Sequence, residues 1–240
     1  MVPAGLGVLS APDPGPQDAR RQALFHSPHT SPRPITDSQE FAPVTPPPAT
    51  HITLIRHAPV AQPGRLYGRT EVDAALDDAD RIAAVAGDAL ALATGAVTSP
   101  RRRCRQTLDA LLTAAGSDLV PRVVEAWAEQ DFGAWDGAET AGLPDLWGLP
   151  MAALAHQTPP GGESFQDLCR RIGPALDALA AREAGARLVV CTHAGVVRAA
   201  VHHVLGLAPG RALSLSVAPL SVTRLIHFGA AGWAVDRLNG

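Results

Sequence analysis

TLIRHAPV, Thr53 to Val60, is an apolar, β-branched run that stops at an arginine and a histidine. Its body reads as a buried strand. Burying either cation without a partner costs several kcal/mol, so Arg56 and His57 are expected to face a cleft and to hold something anionic there.

Outward from this stretch, strand and helix signals alternate from His51 to the end of the chain, the pattern of an α/β layered fold. HITLIRH is the first strand. DDADRIAAVAGDALALA reads as an Ala-rich helix, GAVTSP as a short strand, and RCRQTLDALLTAAG as a helix stopped by its glycine. RVVEAW reads as a strand, and ESFQDLCRRIGPALDALAAREAG as a long helix with a kink expected at Pro174. RLVVCTH is a second buried strand, GVVRAAVHHVLGL a helix, and LSLSVAPLSVTRLIHF and GWAVDRLN are closing strands. Residues 1–48 are rich in Pro, Ser, Thr and Gln and end in VTPPPAT, so they are expected to be disordered, with one folded domain over 49–240.

Composition narrows the function. A net charge of −3 gives no global basic field, so neither nucleic acid nor an anionic membrane surface is an expected partner. No apolar run reaches the roughly 18 residues of a membrane span. The start, MVPAGLGVLS, lacks a basic segment before its apolar patch and makes a poor secretory signal, so a cytoplasmic protein is expected. Cys104, Cys169 and Cys191 are odd in number and far apart, which suits reduced thiols better than disulfides or a zinc site. His202 and His203 are adjacent and lack the i, i+4 spacing of a metal pair. No metal or cofactor is expected.

Three strand-like segments, TLIRH, AVTSPRRR and LVVCTH, deliver Arg or His to their carboxyl ends, the edge where open α/β sheets bind ligands. Helix N-termini at that edge add positive potential. The candidates are Arg56, His57, the cluster Arg101, Arg102, Arg103 and Arg105, and His193. A phosphoryl group suits them, because its transfer is catalysed mostly by positioning and charge, and guanidinium forks hold its oxygens bidentately. A neutral histidine can attack phosphorus, and nearby guanidinium groups favour the neutral form, which makes His57 a candidate nucleophile. A second histidine and a carboxylate would then stabilise the group in flight and protonate the leaving oxygen.

These residues resemble the histidine phosphatase superfamily, also called phosphoglycerate-mutase-like. Arg56-His57-Ala58 stands for its R-H-G, SPRRRCRQT for S-P-x-x-R-x-x-Q-T, EQDFGAWDG for E-x-x-x-G-x-W-[ED]-G, PGGES for P-x-G-E-S, and HAGVVR for H-[AG]-G-V-[IV]-R. The resemblance spans about His51 to Asn239 and implies a three-layer α/β/α sandwich with a mostly parallel sheet. It implies catalysis by His57, Glu129 and His193 through a phosphohistidine, with Arg56, Arg103 and His193 binding phosphate. Glu129 is chosen over Asp131 and Asp136 by motif register alone, and Glu163 and Ser164 carry the PGGES motif. Ala58 departs from the pattern, adding a methyl where backbone is expected to approach the phosphate.

The stretch after His57 lacks the Ser and Asn typical of phosphoglycerate mutases, and the chain has little spare length, which favours hydrolysis of a small-molecule phosphomonoester. Tyr67 to Val72, YGRTEV, looks like the alpha-ribazole phosphatase branch of cobalamin biosynthesis, so alpha-ribazole 5'-phosphate is the first substrate suggested. Arg69 is a candidate substrate contact, and Trp135 either walls the pocket or packs. Broad-specificity phosphatase, mutase-type phosphotransferase and a non-catalytic phosphate-binding scaffold are the alternatives, and a homodimer is left open.

Overall fold

A computed structural model describes residues 48–143 and 148–240. The expectation of disorder over 1–48 lies, Pro48 apart, outside those residues. Strand β1 (Thr50–Arg56) pairs in parallel with β4 (Arg187–Thr192), which pairs in parallel with β2 (Gly95–Thr98), and β2 in turn with β3 (Arg122–Val123). On the other side, β5 (Val222–His227) lies antiparallel to β1, and β6 (Trp233–Arg237) antiparallel to β5. The order is β3-β2-β4-β1-β5-β6, and β5 alone runs against the rest.

Alternation along the strands builds the layers. Ile52 and Leu54 of β1, with Leu188 and Val190 of β4, pack in one apolar cluster with Leu168, Ile172 and Leu176 of α4 (Phe165–Arg182) and Val196, Val197 and Ala200 of α5 (Ala194–Leu205). Ile55, Val189 and Cys191 point the other way, toward Ile82 and Val85 of α1 (Ala79–Leu90) and Leu108 and Leu111 of α2 (Arg102–Ala115). The result is the α/β/α sandwich, its sheet buried on both faces as parallel strands require.

Local signals set the helix ends. Asp78 caps α1 through its side chain, and α2 stops at Gly116, whose φ of 60° suits glycine. Ser164 and Asp167 form a reciprocal capping box at the start of α4. That helix continues through Pro174 as one element, and Gly173 beside it allows close approach of the His203 ring from α5. Short helices Met151–Leu154 (α3) and Pro209–Leu213 (α6) complete the set among the described residues. No helix of the described residues is long and apolar enough to cross a membrane.

Two strand expectations are corrected. RVVEAW contributes only Arg122–Val123, because the chain turns into a 3-10 turn at Glu125–Trp127 that buries the indole of Trp127. Within LSLSVAPLSVTRLIHF only Val222–His227 is strand. Pro219 lacks a donor, Leu220 takes a φ of 57°, and the carbonyls of Leu215 and Val217 bond arginine side chains in place of a neighbouring strand.

Candidate active site

The carboxyl ends of β1, β2 and β4 meet at one point. His57 follows β1, and its N–H donates to Thr192 O at 2.9 Å; Ser99 follows β2, and its N–H donates to Cys191 O at 3.0 Å. His193 follows β4 as the cap residue of α5. Arg103, in the first turn of α2, is fully buried between the two histidines. Its Nε lies 3.3 Å from His57 Nε2 and its Nη2 3.2 Å from His193 Nδ1. A guanidinium only donates, so both of those ring nitrogens accept. The protons then sit opposite: His57 Nδ1 donates to Ala58 O at 2.6 Å, and His193 Nε2 to Ser99 Oγ at 2.7 Å.

The electrostatics agree with neutral rings. Burial, then the Arg103 and Arg56 charges, pull the pKa of His57 down to about 3, against the opposing hydrogen bond to Ala58. His193 is held well below the ordinary histidine value by burial first, then by Arg103, His57 and the neighbouring arginines. Arg56 donates through Nη1 to Val217 O at 2.6 Å, while its Nε is buried without a partner among the described residues. An unmet buried donor costs about 1–3 kcal/mol, which an incoming anion would offset. Arg198, one turn into α5, grips the same loop through Nε to Leu215 O at 2.8 Å. Arg198 is the last residue of HAGVVR, and a lone arginine on a helix gives no sign in sequence of the loop it will grip.

The three acids left in competition by sequence have different surroundings. Asp136 accepts the N–H groups of Gly68, Arg69 and Thr70 at 3.0, 2.5 and 3.0 Å, so its carboxylate pins a loop. That loop offers the carbonyls of Tyr67, Gly68 and Thr70 to Arg103. Asp131 accepts from Gly133 N–H at 2.9 Å and lies 3.8 Å from Arg69. Glu129 is 8% exposed and accepts from Gln130 N–H at 3.0 Å and from Gly195 N–H, in the first turn of α5, at 3.1 Å. Its charge acts on Arg56, Arg103 and Arg198, so this carboxylate sits among the cations.

The remaining candidates fall outside that cluster. Arg69 is paired with Glu125 at 2.6 Å, and its carbonyl accepts from Arg101 at 2.8 Å. Trp135 lies half-buried on a 3-10 turn (Gly133–Trp135) and makes no hydrogen bond to the cluster among the described residues. The methyl of Ala58 packs with the α1 and α2 core, and its N–H donates to Thr107 Oγ1 at 3.0 Å, so the departure from glycine adds bulk to the core and not to the cleft. Ser164 serves α4 as its cap, and Glu163 pairs with Arg171 at 2.6 Å.

Comparison with known proteins gives relatives of the same kind. A bifunctional protein of Mycobacterium tuberculosis is 31% identical over 140 residues, 56% of this chain, and the match spans only 38% of that protein's length. The metal-independent phosphoserine phosphatase of Arabidopsis thaliana is 28% identical over 200 residues, covering 78% of this chain and 80% of the relative. The native mycobacterial glucosyl-3-phosphoglycerate phosphatase shares the fold with a TM-score of 0.70 at 24% identity, over 80% of this chain and 99% of that one. The model of the histidine phosphatase superfamily, branch 1, matches residues 52–240, the whole sandwich with its two histidines and buried arginine, and the chain belongs to that family.

Proposed function

We propose that the chain hydrolyses a small-molecule phosphomonoester in two displacements through a phosphohistidine on His57. The observation that carries this reading is that His57 Nε2 bears a lone pair and no proton: Nδ1 holds the ring proton against Ala58 O, burial and Arg103 keep Nε2 unprotonated, and the long 3.3 Å bond from Arg103 Nε is the one that turns to the phosphoryl group when Nε2 attacks. In the first step Nε2 attacks phosphorus and the ester P–O bond breaks. The proton carried in by the monoanionic ester passes through Glu129 to the leaving oxygen. In the second, Glu129 takes a proton from water, the resulting hydroxide attacks phosphorus, and the P–N bond breaks to release phosphate. Arg56 and Arg103 hold the phosphoryl oxygens throughout, and His193 joins them once its proton sits on Nδ1, with the Ser99 hydroxyl then donating to Nε2.

The test is direct. Rapid quenching in alkali, which preserves a P–N bond, should trap phosphate on the wild-type protein and none on His57→Ala, whose turnover should vanish with its fold intact by circular dichroism. Near-normal turnover in His57→Ala would reduce this histidine to a phosphate ligand. No turnover of any ester by the wild type would favour the binding scaffold.

For the substrate, the Tyr67–Val72 pattern favours alpha-ribazole 5'-phosphate. A second reading has its own support: the phosphoserine phosphatase relative aligns over 78% of the chain, while the carbonyls of Tyr67, Gly68 and Thr70 are occupied in holding Arg103 and so report little about the ester. Comparing kcat/KM for alpha-ribazole 5'-phosphate, phosphoserine and p-nitrophenyl phosphate separates the two, and near-equal values would mean broad specificity.

A further inference from the structure

Glu163 reaches across from the turn that opens α4. Its Oε1 accepts from Arg171 Nη2 at 2.6 Å and from the Asp131 N–H at 3.0 Å. Arg171 turns its Nη groups to the main chain as well, Nη1 to Ala126 O at 2.7 Å and Ala128 O at 3.1 Å, and Nη2 also to Glu129 O at 3.3 Å, while its Nε is buried without a partner among the described residues. The Gln130 side chain donates to Glu163 O, and the Glu163 N–H to Asp131 O, both at 2.8 Å. The irregular backbone from 126 to 131 is therefore gripped on both sides of Glu129. The grip is rigid at its base, because the capping box fixes the first turn of α4.

The Arg171 and Glu163 side chains are only 25% and 19% exposed. Taking two charges largely out of water is costly, and such a pair is weak evidence of added stability. What it supplies here is geometry. Among the described residues neither side chain bonds His57, Arg103 or His193, yet together they fix the height of the segment from which the Glu129 carboxylate reaches the N-terminus of α5. We propose that Arg171 and Glu163 are positioning residues for Glu129, setting its distance to the leaving oxygen; this rests on the reading of Glu129 as proton donor. Proton transfer tolerates little misplacement, so a carboxylate displaced by about 1 Å loses much of its effect.

The experiment compares Arg171→Met, Glu163→Met and Glu129→Gln on two esters, phosphoserine, whose alkoxide needs the proton, and p-nitrophenyl phosphate, whose phenolate hardly does. Arg171→Met and Glu163→Met, which removes the Oε1 acceptor that a glutamine would keep, should lower kcat for the alkyl ester by about 10- to 100-fold with KM unchanged, and kcat for the aryl ester by less than about 3-fold. Arg171→Lys should recover part of the loss, since an ammonium can still bond one or two of the carbonyls. Equal losses on both esters, tracking the folded fraction, would make the pair merely structural and overturn the proposal. If Glu129→Gln separates the esters while the other variants do not, this inference fails alone. If Glu129→Gln does not separate them, the proton-donor reading fails and takes the inference with it. Should Arg171→Met not fold, Glu163→Met decides by the same ratio.

Discussion

At the scale of single residues, one guanidinium between two imidazoles sets the protonation of both, because Arg103 can only donate and each ring must meet it with a lone pair. Neutrality of His57 has a consequence for stability as well as for nucleophilicity. Folded, it takes a proton only near pH 3; unfolded, it does so near the ordinary value of 6.5. Between those limits the unfolded chain binds more protons, so stability is full above about pH 6.5 and falls as the pH is lowered toward 3, by up to about 1.4 kcal/mol per pH unit. His193, lowered in the same direction, adds to the slope. Urea melts at pH 7 and pH 5 should show the loss, and His57→Ala should show a shallower one. An unchanged slope in the variant would mean that His57 titrates in the fold much as it does in the unfolded chain.

At the scale of elements, the site is held by loops that meet on glycine. A Cβ on Gly68 would lie 2.2 Å from Gln130 O, one on Gly133 2.2 Å from Pro160 O, and one on Gly195 2.4 Å from Glu129 Oε1. Asp136 ties the first of these loops down, so Asp136→Ala frees its three N–H groups and loosens the carbonyls beneath Arg103. Inhibition by inorganic phosphate should weaken by about tenfold in this variant, roughly the 1–3 kcal/mol of charge-assisted hydrogen bonds lost from a partly buried carboxylate. Unchanged phosphate inhibition would show that Arg103 needs no support from the loop. How much of this the sequence discloses depends on the kind of signal. β1 and β4 are legible because a run buried on both faces must be apolar throughout, and His57 and His193 because cations at such strand ends need a reason, whereas Arg103 stands out from its arginine cluster only through the register of the family motif. Residues 213–221 mislead because their alternation imitates a strand, while tertiary bonds from Arg56 and Arg198 claim their carbonyls. Asp136, Glu163 and Arg171 are opaque for a related reason: their partners are main-chain groups, which look alike at every position of a sequence.

At the scale of the whole molecule, topology and charge work together. Parallel pairing of β1, β4 and β2 brings residues 56, 99 and 193 to one edge of the sheet, where α2 and α5 also begin. The chain as a whole carries a net charge of −3, so attraction for a phosphate dianion has to be local. It is concentrated inward: Arg56, Arg103 and Arg198 surround Glu129, whereas Arg69 and Arg101 nearer the surface are compensated by Glu71, Glu125 and Asp131. Three guanidinium groups and the N-terminus of α5 together supply more positive charge than the transferring phosphoryl carries, and they do so in a buried site where each interaction is screened little. A divalent cation placed among them would meet repulsion from all three with one carboxylate among the described residues, Glu129, to hold it. Turnover of p-nitrophenyl phosphate should accordingly stay within about twofold after exhaustive dialysis against a chelator, and added magnesium or manganese should not raise it. Loss of activity on chelation, with recovery on adding a divalent ion, would show that the arginines do not suffice as the electrophilic charge and would require the phosphoryl group to be held by metal instead.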